Sequence, residues 1–323
     1  MMDNYPFLWY NDDIIHKQAQ KYEEQELASM NDYIIATSST ADLPREWLDA
    51  HHIPFISYSY TVNGELQTDD CREESRAAMF RGMRSGDDLK TSMINEYAYH
   101  EFFTGLLSTG KDVLYLDMSE KMSVSFANAA KAAEQVRAEF PDQRFYVMDT
   151  RCISGGLGLL VMLLTRRMEA GESLDDVIAW GEANKLKIAH RFTVDDLNYL
   201  KRGGRVSNAS ALVGSLLNIK PVLYVPDVCT LDVVKKAHGR KATLIAIREG
   251  ILGDLSSVDC NGAEMLILHA DCVKDAGWVR DEVRKAHPEL GEIRIGSLGV
   301  VIGAHTGPGL IAVFYLCDRR VAK

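Results

Sequence analysis

Residues Asp195–Pro221 read DDLNYLKRGGRVSNASALVGSLLNIKP, with Arg202 and Arg205 flanking the pair Gly203-Gly204. Two successive glycines let the backbone turn sharply and set both guanidiniums on one side. A planar, permanently charged guanidinium suits a carboxylate or a phosphate. Beyond it, the spacing of Ala211, Leu212, Ser215 and Leu216 predicts a helix, and Ile219 to Val225 reads as a buried strand. Taken alone, Arg-Gly-Gly-Arg also fits an exposed loop. The rest of the chain decides between these readings.

Upstream, from Tyr33, strands and helices alternate. Tyr33 to Thr37 is a short apolar strand. Asp42 is placed to cap a helix from Leu43, with Pro44 in its first turn. Ile53 to Ile56 is a second strand, and Tyr58 to Thr68 alternates about Asn63-Gly64, a hairpin signal. Helices are predicted over Arg72–Met83 and Glu96–Leu107, with Ser85 to Asn95 as the loop between them. The strand Asp112–Met118 precedes a helix with the apolar stripe Phe126, Ala130, Ala133, Val136 and Phe140. The strand Phe145–Met148 and the helix Ser154–Met168 follow. This alternation implies a parallel, Rossmann-like sheet covered on both faces, whose ligands gather at the carboxyl ends of the strands.

After Asp195, five strands (220–225, 230–235, 264–269, 294–298 and 310–317) surround the helices Arg240–Asp254 and Val273–Lys285. Connections as short as Pro226-Asp227 require antiparallel neighbours, so a second α/β domain with a mostly antiparallel sheet is expected over 195–323, after a first over 33–194. Residues 1–32 read as a helical extension: a polar run from Asp12 to Ala28 follows the cluster Tyr5, Phe7, Leu8, Trp9 and Tyr10.

With 323 residues, 46% hydrophobic and 25% charged, the chain has the composition of a globular protein of about two domains. A net charge of −10 and no long basic run argue against nucleic acid. No apolar stretch is long enough to span a membrane, and the N-terminus lacks the pattern of a signal peptide. Cys71, Cys152, Cys229, Cys260, Cys272 and Cys317 contain no Cys-x-x-Cys pair and read as reduced thiols of a cytoplasmic protein.

Several chemical signatures are missing. No Gly-Lys-Ser/Thr follows a glycine loop, and Gly155-Gly156-Leu157-Gly158 lacks the spaced third glycine of a dinucleotide site, which leaves close packing of a helix on the sheet. His100-Glu101 is followed by Thr104 rather than a second zinc ligand, and Gly296-Ser297-Leu298-Gly299 misses the nucleophile-elbow spacing. No cofactor and no metal site are expected. What remains is a set of hydroxyls and a histidine. Ser38 ends the first strand, Thr91 and Ser92 lie in the loop before one helix, and Ser123 and Ser125 flank the start of another. Helix N-termini favour anions, although each hydroxyl also suits a simple cap. His305 stands in the turn Gly303-Ala304-His305-Thr306-Gly307-Pro308-Gly309, where a side chain is presented at an edge.

Together these pieces resemble one family. Ser38-Ser39-Thr40-Ala41-Asp42-Leu43 is similar to the Asp-Ser-Thr-x-Asp-Leu opening of DegV family proteins, and Leu89-Lys90-Thr91-Ser92 to that family's Thr-Ser turn. Met118 to Ser125 resembles its Ser-x-x-x-Ser-Gly-Thr segment, Asp195 to Pro221 its Arg-Gly-Gly-Arg and Asn-Ile-Lys-Pro pieces, and Gly303 to Gly309 its closing Gly-x-His-x-Gly-Pro-Gly. The chain departs in Ser38 for Asp, Met93-Ile94 for Gln-Pro, and Val124-Ser125 for Gly-Thr. The resemblance implies the EDD fold and a carrier rather than an enzyme. It implies a long-chain fatty acid in an apolar tunnel, its carboxylate held by Thr91, Ser123 and His305, and a fatty-acid kinase partner serving phospholipid synthesis. Arg202 and Arg205 then face the head group, the phosphates or the kinase. The residues alone leave two alternatives: an α/β enzyme acting on a small carboxylate or phosphate through His305 and the hydroxyls, and a lipid sensor with no kinase that recruits a partner through residues 1–32.

Overall fold

The computed structural model describes residues 32–205 and 219–320. The expected N-terminal helix and the helix about 211–216 lie outside the described residues. The first half runs β1 (Tyr33–Ser38), α1 (Arg45–Ala50), β2 (Phe55–Ile56), β3 (Ser59–Val62), β4 (Glu65–Thr68), α2 (Glu73–Ser85) and β5 (Leu89–Thr91). It continues through α3 (Glu96–Leu107), β6 (Asp112–Asp117), α4 (Ser125–Glu139), β7 (Phe145–Asp149), α5 (Gly155–Glu169) and α6 (Leu174–Asn184). The second half runs β8 (Ile188–Thr193), α7 (Leu197–Arg202), β9 (Ile219–Tyr224), β10 (Asp232–His238) and α8 (Gly239–Leu255). It ends with β11 (Met265–His269), α9 (Val273–Ala286), β12 (Ile293–Ser297), α10 (Val300–Thr306) and β13 (Ile311–Leu316).

The first sheet has the order β2-β1-β6-β7, and every pairing in it is parallel. The second has the order β10-β9-β8-β13-β11-β12, antiparallel except where β11 meets β12. A small antiparallel sheet, β4-β3-β5, stands beside them. Its hairpin turns at Asn63 (φ 53°) and Gly64 (φ 91°), the left-handed pair that a tight two-residue turn requires.

Four expectations need correction. Asp42 does not cap a helix from Leu43. It sits left-handed at φ 55° after a 3-10 turn, and α1 starts only at Arg45, because Pro44 holds an extended ψ. The loop before α3 contains β5, which pairs with β3 through Tyr60 and Thr91. The apolar stripe of α4 is rotated: Ala129, Ala132, Ala133 and Val136 are buried, while Phe126, Ala130 and Phe140 are half-buried. The second sheet also begins before Asp195, since β8 is one of its central strands.

Alternation along β13 shows where the cores lie. Ala312 and Phe314 join the core shared with the first sheet, whereas Ile311, Val313 and Tyr315 face the core under α8 and α9. α5 lies between the two sheets, and its glycines make that possible. A Cβ at Gly155 would meet Phe314 and Leu268, one at Gly156 the His190 ring, and one at Gly158 the carbonyl of Ala41. This glycine run lets the helix pack closely on both sheets.

Buried polar groups tie the halves together. Arg76, fully buried, donates to the carbonyls of Leu43 (2.8 Å), Ser297 (2.9 Å) and Asp42 (3.2 Å). The Asp42 carboxylate accepts from Ser154 Oγ at 2.6 Å, and burial pushes its pKa up to about 7 against the opposing pull of Arg76.

Candidate functional site

A cavity of about 570 Å³ opens between the two sheets. Its walls are apolar where β8, β13 and the segments around them contribute Phe192, Phe314, Leu200, Val225, Leu231 and Leu298. Among its polar lining residues, besides Asp87, Asp88 and Lys90, are Thr91 on β5, Ser123 just before α4, and His305 in the last turn of α10. Thr91 Oγ1 and His305 Nε2 are 2.8 Å apart, a hydrogen bond across 214 residues of sequence. Ser123 stands at the N-terminal end of a fifteen-residue helix, the positive end of its dipole.

The glycines of Arg-Gly-Gly-Arg have separate tasks. A Cβ at Gly203 would collide with the His305 ring, so only glycine lets this loop close over the imidazole. Gly204 supplies the left-handed turn, at φ 68°. Arg205 then reaches the main chain beside Ser123, donating to the carbonyl of Met122 at 3.1 and 3.2 Å and to that of Gly203 at 2.6 Å. Arg202 lies over the Tyr199 ring, 4.5 Å from its centroid. Both arginines line the cavity, Arg205 bound to the Met122 carbonyl and Arg202 over the Tyr199 ring.

The expected hydroxyls separate into two groups. Thr91, Ser92 and Ser123 line the cavity with His305. Ser38 and Ser125 do not, and their oxygens are occupied elsewhere. Ser38 Oγ donates to Asp117 Oδ1 at 2.8 Å. Ser125 Oγ accepts from the backbone N–H of Ile94 at 3.1 Å and fastens the 92–95 loop to α4, helped by Asn128 Nδ2 donating to the Ile94 carbonyl at 2.8 Å. The replaced segments Met93-Ile94 and Val124-Ser125 therefore meet in one place, and Met93 and Val124 present exposed apolar side chains at the rim.

One lining residue was not singled out from sequence. Tyr58 is 2% exposed, and among the described residues its hydroxyl has no hydrogen-bond partner, although the hydroxyls of Ser123 and Ser125 lie beside it. Behind the site, the buried Asp117 carboxylate accepts from Ser38, Tyr99 (2.7 Å) and Tyr115 (2.8 Å). Burial raises its pKa, and these donors oppose the rise.

Charge at the polar end is balanced towards an anion. Burial, with a contribution from Arg205, holds the His305 imidazole down to about pKa 4. At neutral pH the site therefore offers a neutral ring, several hydroxyls and a fixed guanidinium. A carboxylate or phosphate beside Thr91, His305 and Arg205 meets donors, although Asp87 and Asp88 also line the cavity, and its apolar walls accept a hydrocarbon.

A parallel sheet and a mostly antiparallel one with a cavity lined by apolar side chains, hydroxyls and an imidazole define a class of two-sheet α/β proteins. The chain belongs to the DegV family, whose sequence profile matches residues 33–318. A DegV domain-containing protein of Clostridium perfringens is 35% identical over 292 residues, covering 90% of this chain and 99% of that protein. A solved DegV family protein of Thermus thermophilus, described by its fatty-acid binding, is 27% identical with a TM-score of 0.78, covering 88% of this chain and 99% of its own. A DegV lipid-binding protein of Thermotoga maritima is 25% identical with a TM-score of 0.77, covering 90% and 99%. Both solved relatives are described by what they bind, not by a reaction. Among the described residues no helix is long and apolar enough to cross a membrane.

Proposed function

We propose that this protein binds a long-chain fatty acid in the cavity between its sheets and presents the carboxylate at the Thr91–Ser123–His305 end to a fatty-acid kinase. The observation that carries the reading is a hydroxyl–imidazole pair, Thr91 and His305 2.8 Å apart, on the wall of a cavity that Ser123 and a set of apolar side chains also line. The Thermus and Thermotoga relatives, described as binding fatty acid and lipid, support it. Each buried methylene contributes about 0.8 kcal/mol, so two carbons of chain length change affinity roughly tenfold until the cavity is full. The polar end then fixes orientation, with Tyr58 as a further donor to the carboxylate.

A carrier of this kind needs no base or nucleophile of its own. Transfer of a terminal phosphoryl group to the carboxylate oxygen depends on positioning and charge neutralisation, which the partner kinase provides. Arg202 and Arg205, at the polar end, are the groups assigned to the kinase side. The test is equilibrium binding of oleate to delipidated protein. His305→Ala is expected to weaken binding by about 1–3 kcal/mol, the effect of leaving a buried polar partner unsatisfied. Unchanged oleate affinity in this variant would remove His305 from the site.

A further inference from the structure

A second cluster of reactive side chains lies far from the cavity, at the amino ends of β11 and β12. Cys260 comes from the segment before β11, while His287 and Glu289 come from the segment joining α9 to β12; none of the three lines the cavity. Cys260 Sγ is 3.6 Å from His287 Nδ1 and 3.2 Å from Glu289 Oε1, and Nδ1 is 2.8 Å from the same Oε1. We propose that Cys260, His287 and Glu289 form a three-ligand site for a zinc-class divalent metal ion, with the fourth position open to solvent.

The geometry favours a metal over a catalytic triad. In a relay, the imidazole contacts thiol and carboxylate through opposite ring nitrogens. Here both face Nδ1, so the ring cannot pass a proton between them, and three ligand atoms converge on one point instead. Metal–sulfur bonds of about 2.3 Å and metal–nitrogen or –oxygen bonds of about 2.0 Å give tetrahedral edges of roughly 3.3 to 3.6 Å. The three observed edges come within about half an ångström of these values.

The frame around the cluster is already built. Gly262 N–H donates to the Glu289 carbonyl at 2.9 Å, and Gly291 N–H to that of Ala263 at 2.8 Å, so the two loops are laced together by main chain. A Cβ at Gly291 would meet the Gly262 carbonyl, which explains a glycine at the crossing. Arg284 donates to the carbonyls of Gly291 and Leu290 and holds the second loop to α9. Cys260 is buried, His287 half-buried and Glu289 exposed, which gives a protected sulfur with an open entrance.

Binding balances in charge. The Cys260 thiol loses one proton to solvent, the proton on His287 Nδ1 moves to Nε2, and Glu289 is already ionised. One thiolate and one carboxylate then neutralise the ion. A thiolate–imidazole pair selects zinc or cobalt over magnesium or calcium.

The experiment is titration of chelator-treated full-length protein with cobalt(II) and then zinc(II). One cobalt per chain is expected, with the sulfur-to-cobalt absorption of a tetrahedral thiolate site. Zinc should displace it, and excess magnesium should not. Cys260→Ser should abolish the sulfur band, and Cys272→Ser should retain it. Glu289→Gln, at an exposed position, should weaken zinc binding at least about tenfold, a loss that even outer-sphere partners produce. Absence of the band from the wild type, its persistence in Cys260→Ser, or unchanged zinc affinity in Glu289→Gln would each overturn the proposal.

Discussion

His305 concentrates the electrostatics of the site on one ring. In the free protein its pKa lies at about 4, below the ordinary histidine value, because burial and then Arg205 disfavour the imidazolium. A bound carboxylate favours the imidazolium and raises that pKa. Binding then takes up protons, so oleate affinity should increase as pH falls from about 7 to about 5, towards the free-state pKa, and His305→Gln should flatten the dependence. Affinity that falls with pH over this range would reverse the assigned role. That Thr91, Ser92, Ser123 and His305 would line one cavity was legible in the sequence, because hydroxyls ahead of helices and a histidine among glycines stood out; their selection as carboxylate ligands rested on the resemblance. Ser38 and Ser125 carry the same signal and serve the fold instead, one on Asp117 and one on the Ile94 amide. Tyr58 gave no warning: an aromatic in a strand of alternating apolar residues reads as core.

Among the elements, α5 shows best how packing positions the site. Its Gly156 presses on His190, whose Nδ1 donates to the Ile188 carbonyl at 2.9 Å and whose Nε2 accepts from Ile153 N–H at 3.2 Å. His190 also lines the cavity. Gly156→Val should therefore destabilise the protein by about 1–3 kcal/mol through overpacking. Gly253→Ala in α8, where an added Cβ meets nothing within 4 Å, should instead stabilise by about 0.5–1 kcal/mol. Urea denaturation of both variants checks the pair, and shifts of the same sign would contradict the packing argument. The alternation of strands and helices was readable because buried parallel strands are continuous apolar runs, as in Val113 to Leu116. β8 was hidden for the converse reason. Its centre is His190-Arg191, and the satisfaction of Arg191 by Asp254 at 2.7 Å and by Tyr315 at 3.0 Å appears only in three dimensions. β5 is too short, at three residues, to have a period.

For the whole molecule, the two sheets are joined by a shared core and by buried Arg76, which donates to the carbonyls of Leu43 and Asp42 on one side and of Ser297 on the other. The cavity exists only between them, so its apolar lining could not be assembled from sequence. Phe192 and Phe314 come from strands paired two residues apart in register, yet 122 positions apart in the chain. Sequence motifs pointed to Thr91, Ser123 and His305, which line the cavity, and the fold supplies the apolar part of its wall. The most direct measurement is mass spectrometry of the ligand released by denaturing protein purified from bacteria. The account predicts a long-chain fatty acid near one per chain. Protein that emerges empty, and after delipidation takes up neither palmitate nor oleate, would contradict it.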